Sequence, residues 1–275
     1  MNKYILLVSL CICPIFAQIQ ETPSTMKIAT FAIDSYENTW LKDWPRGIAA
    51  ANSFYDNMQW QILSKYPSTS ISRLKKENNT AKKSTFLSNE TENYNFIYYH
   101  GHGNNNKIFF WGENEYVTNM TKSFGSGNTY WVMLVSCLVF QNGHSNQDPW
   151  FNGVHSILGF SSLAWTFRYS NQCGFLWLNT CVEKSEEMEK EFAVRWIKNG
   201  EKIWDAYKMA VYHQIYEDGG IGVEPKIVYR YGYINGTFFD PWEEKYAEAY
   251  LGPIFKTNYT GIGSRWSTMG SPTYQ

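Results

Sequence analysis

The 275-residue sequence has no excess of charge of either sign: 24 Lys and Arg stand against 25 Asp and Glu, for a net charge of -1. A chain so balanced has no electrostatic footprint for nucleic acid, and none is expected as a partner. Apolar runs of membrane-spanning length are missing beyond the amino terminus, so no membrane span is expected. Internal repeats and Pro/Gly/Ser-rich linkers are missing too. No two carboxylates have a spacing that favours a glycosidase. Neither a cofactor nor a metal is expected. Cysteine is scarce, at five residues. Aromatic residues are not, at 18% with 12 Trp and 20 Tyr, which suits an aromatic-lined groove and an aromatic core equally well.

The amino terminus carries a clear signal. Lys3 precedes an apolar stretch over residues 4–16, and Ile15-Phe16-Ala17 places an aliphatic residue at -3 and a small one at -1. This predicts a secretory signal peptide over residues 1–17, cleaved after Ala17. Residues 18–275 then form a single domain with an irregular tail from about residue 240, in a protein expected to be secreted or lumenal. Five Asn-X-Ser/Thr sequons, at Asn78, Asn89, Asn119, Asn235 and Asn258, are glycosylation candidates in a eukaryotic secretory pathway and carry no meaning in a bacterium.

Removal of the signal takes Cys11 and Cys13 with it, leaving Cys137, Cys173 and Cys181. An odd count in an oxidising compartment leaves at least one thiol outside any pair. The simplest partition is a disulfide between Cys173 and Cys181, near neighbours in sequence. Cys137 is then either a reactive thiol or an inert buried one.

Along the chain, residues 26–34 read as the first core strand, and Phe54, Met58 and Ile62 mark a helix over about 53–65. Residues 67–92 are polar and read as solvated surface. Strands are predicted at 94–99, 107–111, 130–135, 156–160 and 226–231, with a short helix at 150–155. Two further helices are predicted, one from about Ser185 to Gly200 and one from about Glu201 to Glu217. Alternating strands and helices give an α/β class, a three-layer α/β/α sandwich with a mostly parallel sheet.

Two apolar runs close on chemistry. Tyr98-Tyr99-His100-Gly101-His102-Gly103 ends one, and Val135-Ser136-Cys137 ends the other. In open α/β sheets reacting groups gather at the carboxyl ends of strands. A Cys nucleophile needs a base within reach and N–H donors for the oxyanion. The Gly103 and Cys137 N–H groups are candidate donors, since glycine permits close backbone approach. His100 and His102 are both candidate bases on residue type alone. His100-Gly101-His102 is also a possible bidentate metal pair, with His144, His155 or Asp148 as further ligands, but no third ligand has a diagnostic spacing.

These two phrases resemble the caspase-like (clan CD) cysteine peptidases, closest in pattern to the gingipain, separase and CHAT-type domains. Tyr99-His100-Gly101-His102-Gly103 is similar to their Gly-His-Gly signature, and Val135-Ser136-Cys137 to their nucleophile strand. Residues 151–160 and 192–210 are similar to the carboxyl half of CHAT domains. The resemblance spans roughly residues 94–210. It implies a caspase-like fold, Cys137 as nucleophile, His102 as general base and then acid, and the N–H groups of Gly103 and Cys137 as oxyanion hole. His100 is then a loop-supporting residue. Bulky Leu138-Val139-Phe140 departs from the small or polar residues common after the nucleophile.

The function expected is a secreted cysteine peptidase or related amide hydrolase with a Cys-His dyad acting on a peptide or protein substrate. The alternative is a catalytically inactive binding or structural protein on the same fold. His213 is expected at the surface, and Trp150, Trp165, Trp196 and Trp204 in the core rather than along a glycan groove.

Overall fold

A computed structural model of the chain describes residues 23–37, 41, 46–112, 114–141, 149–162, 186–218, 223–234, 237–249 and 259–267. The predicted signal peptide, Cys173, Cys181, His144, Asp148, Trp165, Asn235 and Asn258 lie outside the described residues.

The strands, in chain order, are β1 (Thr25–Ala32), β2 (Ser70–Glu77), β3 (Phe96–His100), β4 (Gly103–Asn104), β5 (Lys107–Phe109), β6 (Tyr116–Thr118), β7 (Trp131–Val135), β8 (Ser156–Phe160), β9 (Pro225–Ile234), β10 (Thr237–Phe239) and β11 (Tyr259–Trp266). Helices α1 (Gly47–Lys65), α2 (Lys83–Phe86), α3 (Glu187–Ala193) and α4 (Ile203–Asp218) lie between them. Eight strands form one sheet in the order β10-β9-β8-β7-β3-β1-β2, with β11 also on β9. Strands β2, β1, β3, β7 and β8 run parallel, and β9 pairs antiparallel with β8, β10 and β11. The small β4-β5-β6 sheet is antiparallel. This is the mostly parallel α/β class expected from the alternation of elements.

The middle of the sheet is buried on both faces, which is why β3, β7 and β8 are largely apolar runs with every residue buried. Period-two alternation divides them between two cores. Phe96 and Tyr98 of β3, with Trp131, Met133 and Val135 of β7, face α1, α3 and α4, meeting Phe54, Met58, Phe192 and Tyr207. Ile97 and Tyr99, with Val132 and Leu134, face a layer of short helices, loops and the small sheet, meeting Phe86, Phe110, Phe124 and Trp150. The aromatic content therefore goes largely to packing. Trp150, Trp196 and Trp204 are all buried, and His213 is exposed, as expected.

Several elements differ from the sequence expectation. The stretch read as solvated surface holds β2, an edge strand whose only buried residue is Leu74. An edge strand with polar residues on both faces has no hydrophobic alternation to announce it. The expected irregular tail contains β11, which pairs with β9 from Lys226 to Gly232. The predicted short helix at 150–155 is an irregular segment bridged to Phe124. The helix expected from about 185 to 200 is α3 followed by a π-helical turn, Val194–Lys198. It stops at Gly200, whose φ of +71° favours glycine.

Chain order and sheet order together position the site. From β1 the chain crosses by α1 to β2 on one side, then returns past β1 to β3 on the other. The carboxyl ends of β1 and β3 therefore flank a topological switch point, where α/β sheets hold their ligands.

Candidate active site

Three strand ends converge at this edge. The sheet ladder continues one step past β3: Ile33 N–H donates to the His100 carbonyl at 3.1 Å, and Gly101 N–H to the Val135 carbonyl at 3.2 Å. His100 is the register partner of Ala32 on one side and Val135 on the other. Beyond that rung the chain reaches His102 and Gly103 from β3, and Ser136 and Cys137 from β7.

Gly103 lies against the β7 end. A Cβ at 103 would overlap the Ser136 hydroxyl and stand 2.8 Å from the Cys137 carbonyl oxygen and 3.0 Å from that of Lys107. Only glycine fits. Steric exclusion, rather than a left-handed φ, explains this half of the His-Gly phrase. Leu138, by contrast, has a φ of +54°, an uncommon conformation for a branched residue, and turns the chain sharply just after Cys137.

His102 is held by two tyrosines. Its N–H donates to the Tyr36 hydroxyl at 2.7 Å and its carbonyl accepts Phe109 N–H at 3.0 Å, while the single Tyr99 hydroxyl hydrogen is shared between that carbonyl, at 3.1 Å, and the closer Phe109 carbonyl. The Tyr36 ring lies 5.1 Å from the imidazole, tilted by 45°. Both hydroxyls crowd Gly101, where a Cβ would come within 2.5 Å of Tyr36 Oη and 2.6 Å of Tyr99 Oη. Burial raises the pKa of both phenols, so they act as neutral hydrogen-bonding groups.

Upstream, Asp34 lies two residues past β1 and holds the start of α1: its Oδ1 accepts Ile48 N–H at 2.8 Å. Asn78 Oδ1 accepts the N–H of Asp34 at 2.9 Å, which ties the β2 end to the same edge. Burial raises the Asp34 pKa, against the opposing pull of backbone N–H donors.

His100 and His102 occupy different settings. His102 and Cys137 are both half-buried, whereas His100 is 2% exposed. His100 Nδ1 is 3.0 Å from the Tyr98 hydroxyl, which donates to Glu189 Oε1 at 2.7 Å. Burial lowers the His100 pKa to about 3, so the ring is neutral at physiological pH. Cys137 is in no disulfide and packs against the core that faces α1, α3 and α4.

Of the candidate metal ligands, His144 and Asp148 lie outside the described residues. Among the described residues no group of His, Cys, Asp and Glu gathers as a metal site. His155 is wholly buried and bound to Glu244, its Nδ1 3.1 Å from Oε2, and is engaged in core structure. Of the described sequons, Asn89 is exposed, and Asn78 and Asn119 are half-buried. No helix among the described residues is long and apolar enough to cross a membrane.

Sequence reasoning missed Tyr36 and Glu189. Neither lies in a motif, and each reaches the β3 end from a distant part of the chain. The alternation of β3 does place Tyr98 beside His100 on one face, which was the available hint.

Comparisons with known proteins give two findings. Residues 31–248 match the model of a family described as "Domain of unknown function (DUF6345)". Among solved structures, that of the Arg-specific cysteine proteinase gingipain R (RGPB) is similar to this chain at a TM-score of 0.43 and 12% identity, covering 73% of this chain and 44% of that one. The match thus spans less than half of that proteinase. No curated protein matches the sequence.

Proposed function

We propose that this chain, which belongs to the DUF6345 family, is a secreted cysteine hydrolase of peptide or related amide bonds that works through Cys137 and His102. The observation that carries the reading is the packing of Gly103 against Ser136 and the Cys137 carbonyl, which brings the two motif-bearing strand ends together. The half-burial of Cys137 and His102 supports it further, because a reacting pair needs both a fixed geometry and access to substrate.

In this reading His102 takes the Cys137 thiol proton, and the thiolate attacks the carbonyl carbon of the scissile amide. The N–H groups of Gly103 and Cys137 receive the charge that develops on the carbonyl oxygen. The imidazolium then protonates the leaving amine as the C–N bond breaks, leaving a thioester. His102 next draws a proton from water, whose oxygen attacks the thioester. Loss of the sulfur releases the acid, and the proton returns to the thiolate. Tyr36 and Tyr99 keep the His102 backbone in place throughout.

The test is a peptide-library cleavage assay on the mature protein, beside Cys137→Ala and His102→Ala, with an acyloxymethyl ketone probe as a label. Turnover and labelling are expected in the parent and absent from Cys137→Ala, with folding retained. A probe that still labels Cys137→Ala at the parent level overturns the assignment. A well-folded parent that neither cleaves nor labels supports the inactive binding protein instead.

A further inference from the structure

We propose that an aromatic strip on the outer strands β9 and β10, at the end of the sheet away from Cys137 and His102, binds a neutral glycan chain. The proposal is independent of the reading of Cys137 as nucleophile.

The strip follows from strand geometry. Tyr229, Tyr231 and Tyr233 alternate with Arg230 and Gly232 along β9, so their side chains share one face. Phe238 of β10 lies directly opposite Tyr233 and joins that face. The rings form an unbroken series, with centroids 6.3 Å apart from Tyr229 to Tyr231, 6.2 Å from Tyr231 to Phe238, and 5.5 Å from Phe238 to Tyr233. Tyr229 pairs with Ser156, the first residue of β8, and β9 runs antiparallel to β8. Tyr231 and Tyr233 therefore project beyond the amino ends of the parallel strands, opposite the edge that carries Cys137. From Tyr229 to Tyr233 the strand covers about 14 Å, longer than one sugar ring.

Glycine makes the floor. Across the ladder, Gly261 and Gly263 of β11 face Tyr231 and Tyr229. A Cβ at 261 would come within 2.7 Å of Tyr231 Oη, and one at 263 within 2.5 Å of Tyr229 Cζ. Both rings thus lean over bare backbone. Exposure rises along the strip: Tyr229 is buried, Tyr231 is half-buried, and Tyr233 and Phe238 are 59% and 52% exposed. These last two meet edge to face, with 69° between their planes. Such a pair leaves at least one face of each ring outside the contact.

Three features select the ligand. Area argues against a second copy of the chain: two half-exposed rings offer roughly 200 Å², where a stable interface takes about 800 Å² from each partner. Charge argues against a polyanion. At the inner end of the strip Arg265 bonds Tyr229 and acts on Asp240, and Lys202 pairs with Glu243 at 2.6 Å, so the charges cancel. The glycine floor, in turn, gives the apolar side chains of a docking peptide little to pack into. A sugar chain matches what remains. The C–H face of its ring is apolar and weakly positive, which suits the negative face of an aromatic ring. Its hydroxyls can exchange hydrogen bonds with the Tyr231 and Tyr233 hydroxyls at the rim.

The experiment is saturation-transfer NMR on the mature protein, with cellohexaose, chitohexaose and decaproline as probes and a titration for Kd. The expected result is transfer to the ring protons of a hexaose. Tyr233→Ala and Phe238→Ala should each weaken its binding about tenfold. Tyr233→Phe, which keeps the stacking face, should retain most of it. Both rings are exposed, so all three variants should keep the parent's melting temperature, and Phe238→Ala carries the test should Tyr233→Ala not fold. Binding that survives in full in the alanine variants overturns the location. No transfer to either hexaose overturns the proposal, and transfer to decaproline alone replaces the glycan by a proline-rich peptide. No readout depends on Cys137 or on turnover, so failure of the peptidase reading leaves the test intact.

Discussion

The Tyr36 hydroxyl accepts the backbone N–H of His102 at 2.7 Å, across 66 residues of sequence. The bond ties the loop after β1 to the loop after β3 and sets the phenol ring against the imidazole. Tyr36→Phe keeps the ring and removes the acceptor, leaving that N–H to a poorer partner. We expect a loss of about 1 kcal/mol in urea denaturation. We also expect a lower rate of Cys137 labelling at unchanged secondary structure. Unchanged values for both would show that the bond contributes nothing.

Gly103→Ala should be far more damaging than a typical glycine replacement. Its Cβ would overlap the Ser136 hydroxyl and press on the Cys137 carbonyl at 2.8 Å. Overpacking of this kind costs about 1–3 kcal/mol. The double variant Gly103→Ala, Ser136→Ala removes the side-chain clash but leaves the carbonyl contacts, so a partial recovery of melting temperature is expected. Full recovery would mean that the Cys137 carbonyl moves readily and that the fit at 103 is loose.

Glu92 and Lys122 form an ion pair with both side chains nearly wholly buried, and Glu92 Oε2 also accepts Gly125 N–H at 2.8 Å. Breaking a buried pair from one side strands the remaining charge. Lys122→Met is predicted to cost about 3 kcal/mol, with Glu92→Gln in the same chain recovering most of it. Chemical denaturation of the single and double variants measures both. Equal stability of Lys122→Met and the parent would contradict the prediction.

His100 and Glu189 give stability a defined pH profile. His100 falls from 6.5 to about 3 on folding, so the unfolded chain binds the extra proton between those values and stability drops as pH falls. Glu189 rises from 4.5 to about 8, so the folded chain holds the extra proton between those values and stability drops as pH rises. The two effects cancel where they overlap. Their joint contribution is a plateau between about pH 4.5 and 6.5, with a limiting slope of about 1.4 kcal/mol per pH unit on either side. Subtracting the profile of Glu189→Gln from that of the parent should isolate the alkaline limb. A difference that is flat from pH 6.5 to 8 would rule it out.

Local chemistry made much of the frame legible. The apolar runs of β3, β7 and β8 could only be buried strands, and Phe54, Met58 and Ile62 could only face a core from a helix. Gly200 ended its helix where a left-handed residue was needed. Less was legible where one residue type serves two structures. Serine, lysine and arginine dominate β2, so an edge strand read as solvated surface. Two glycines flank the lone aliphatic residue, Ile262, in β11, which read as an irregular tail.

The candidate site divides in the same way. His100, His102, Gly103 and Cys137 were visible because glycine and polar residues interrupt an apolar run at a strand end. Their neighbours were not visible. Parallel strands pair through long connections, and nothing in the periodicity of β3 or β7 states that His100 will lie opposite Val135. Tyr98 reaches Glu189 over 91 residues, and Tyr36 reaches His102 over 66. Residue pattern was enough for the central strands, the long helices and the candidate residue types, because these follow from burial and backbone preference within a few residues. Tertiary structure alone decided which strand ends meet, which histidine is sealed in the core, and which hydroxyls hold the other. Those outcomes depend on strand order and on where buried polar groups find their partners.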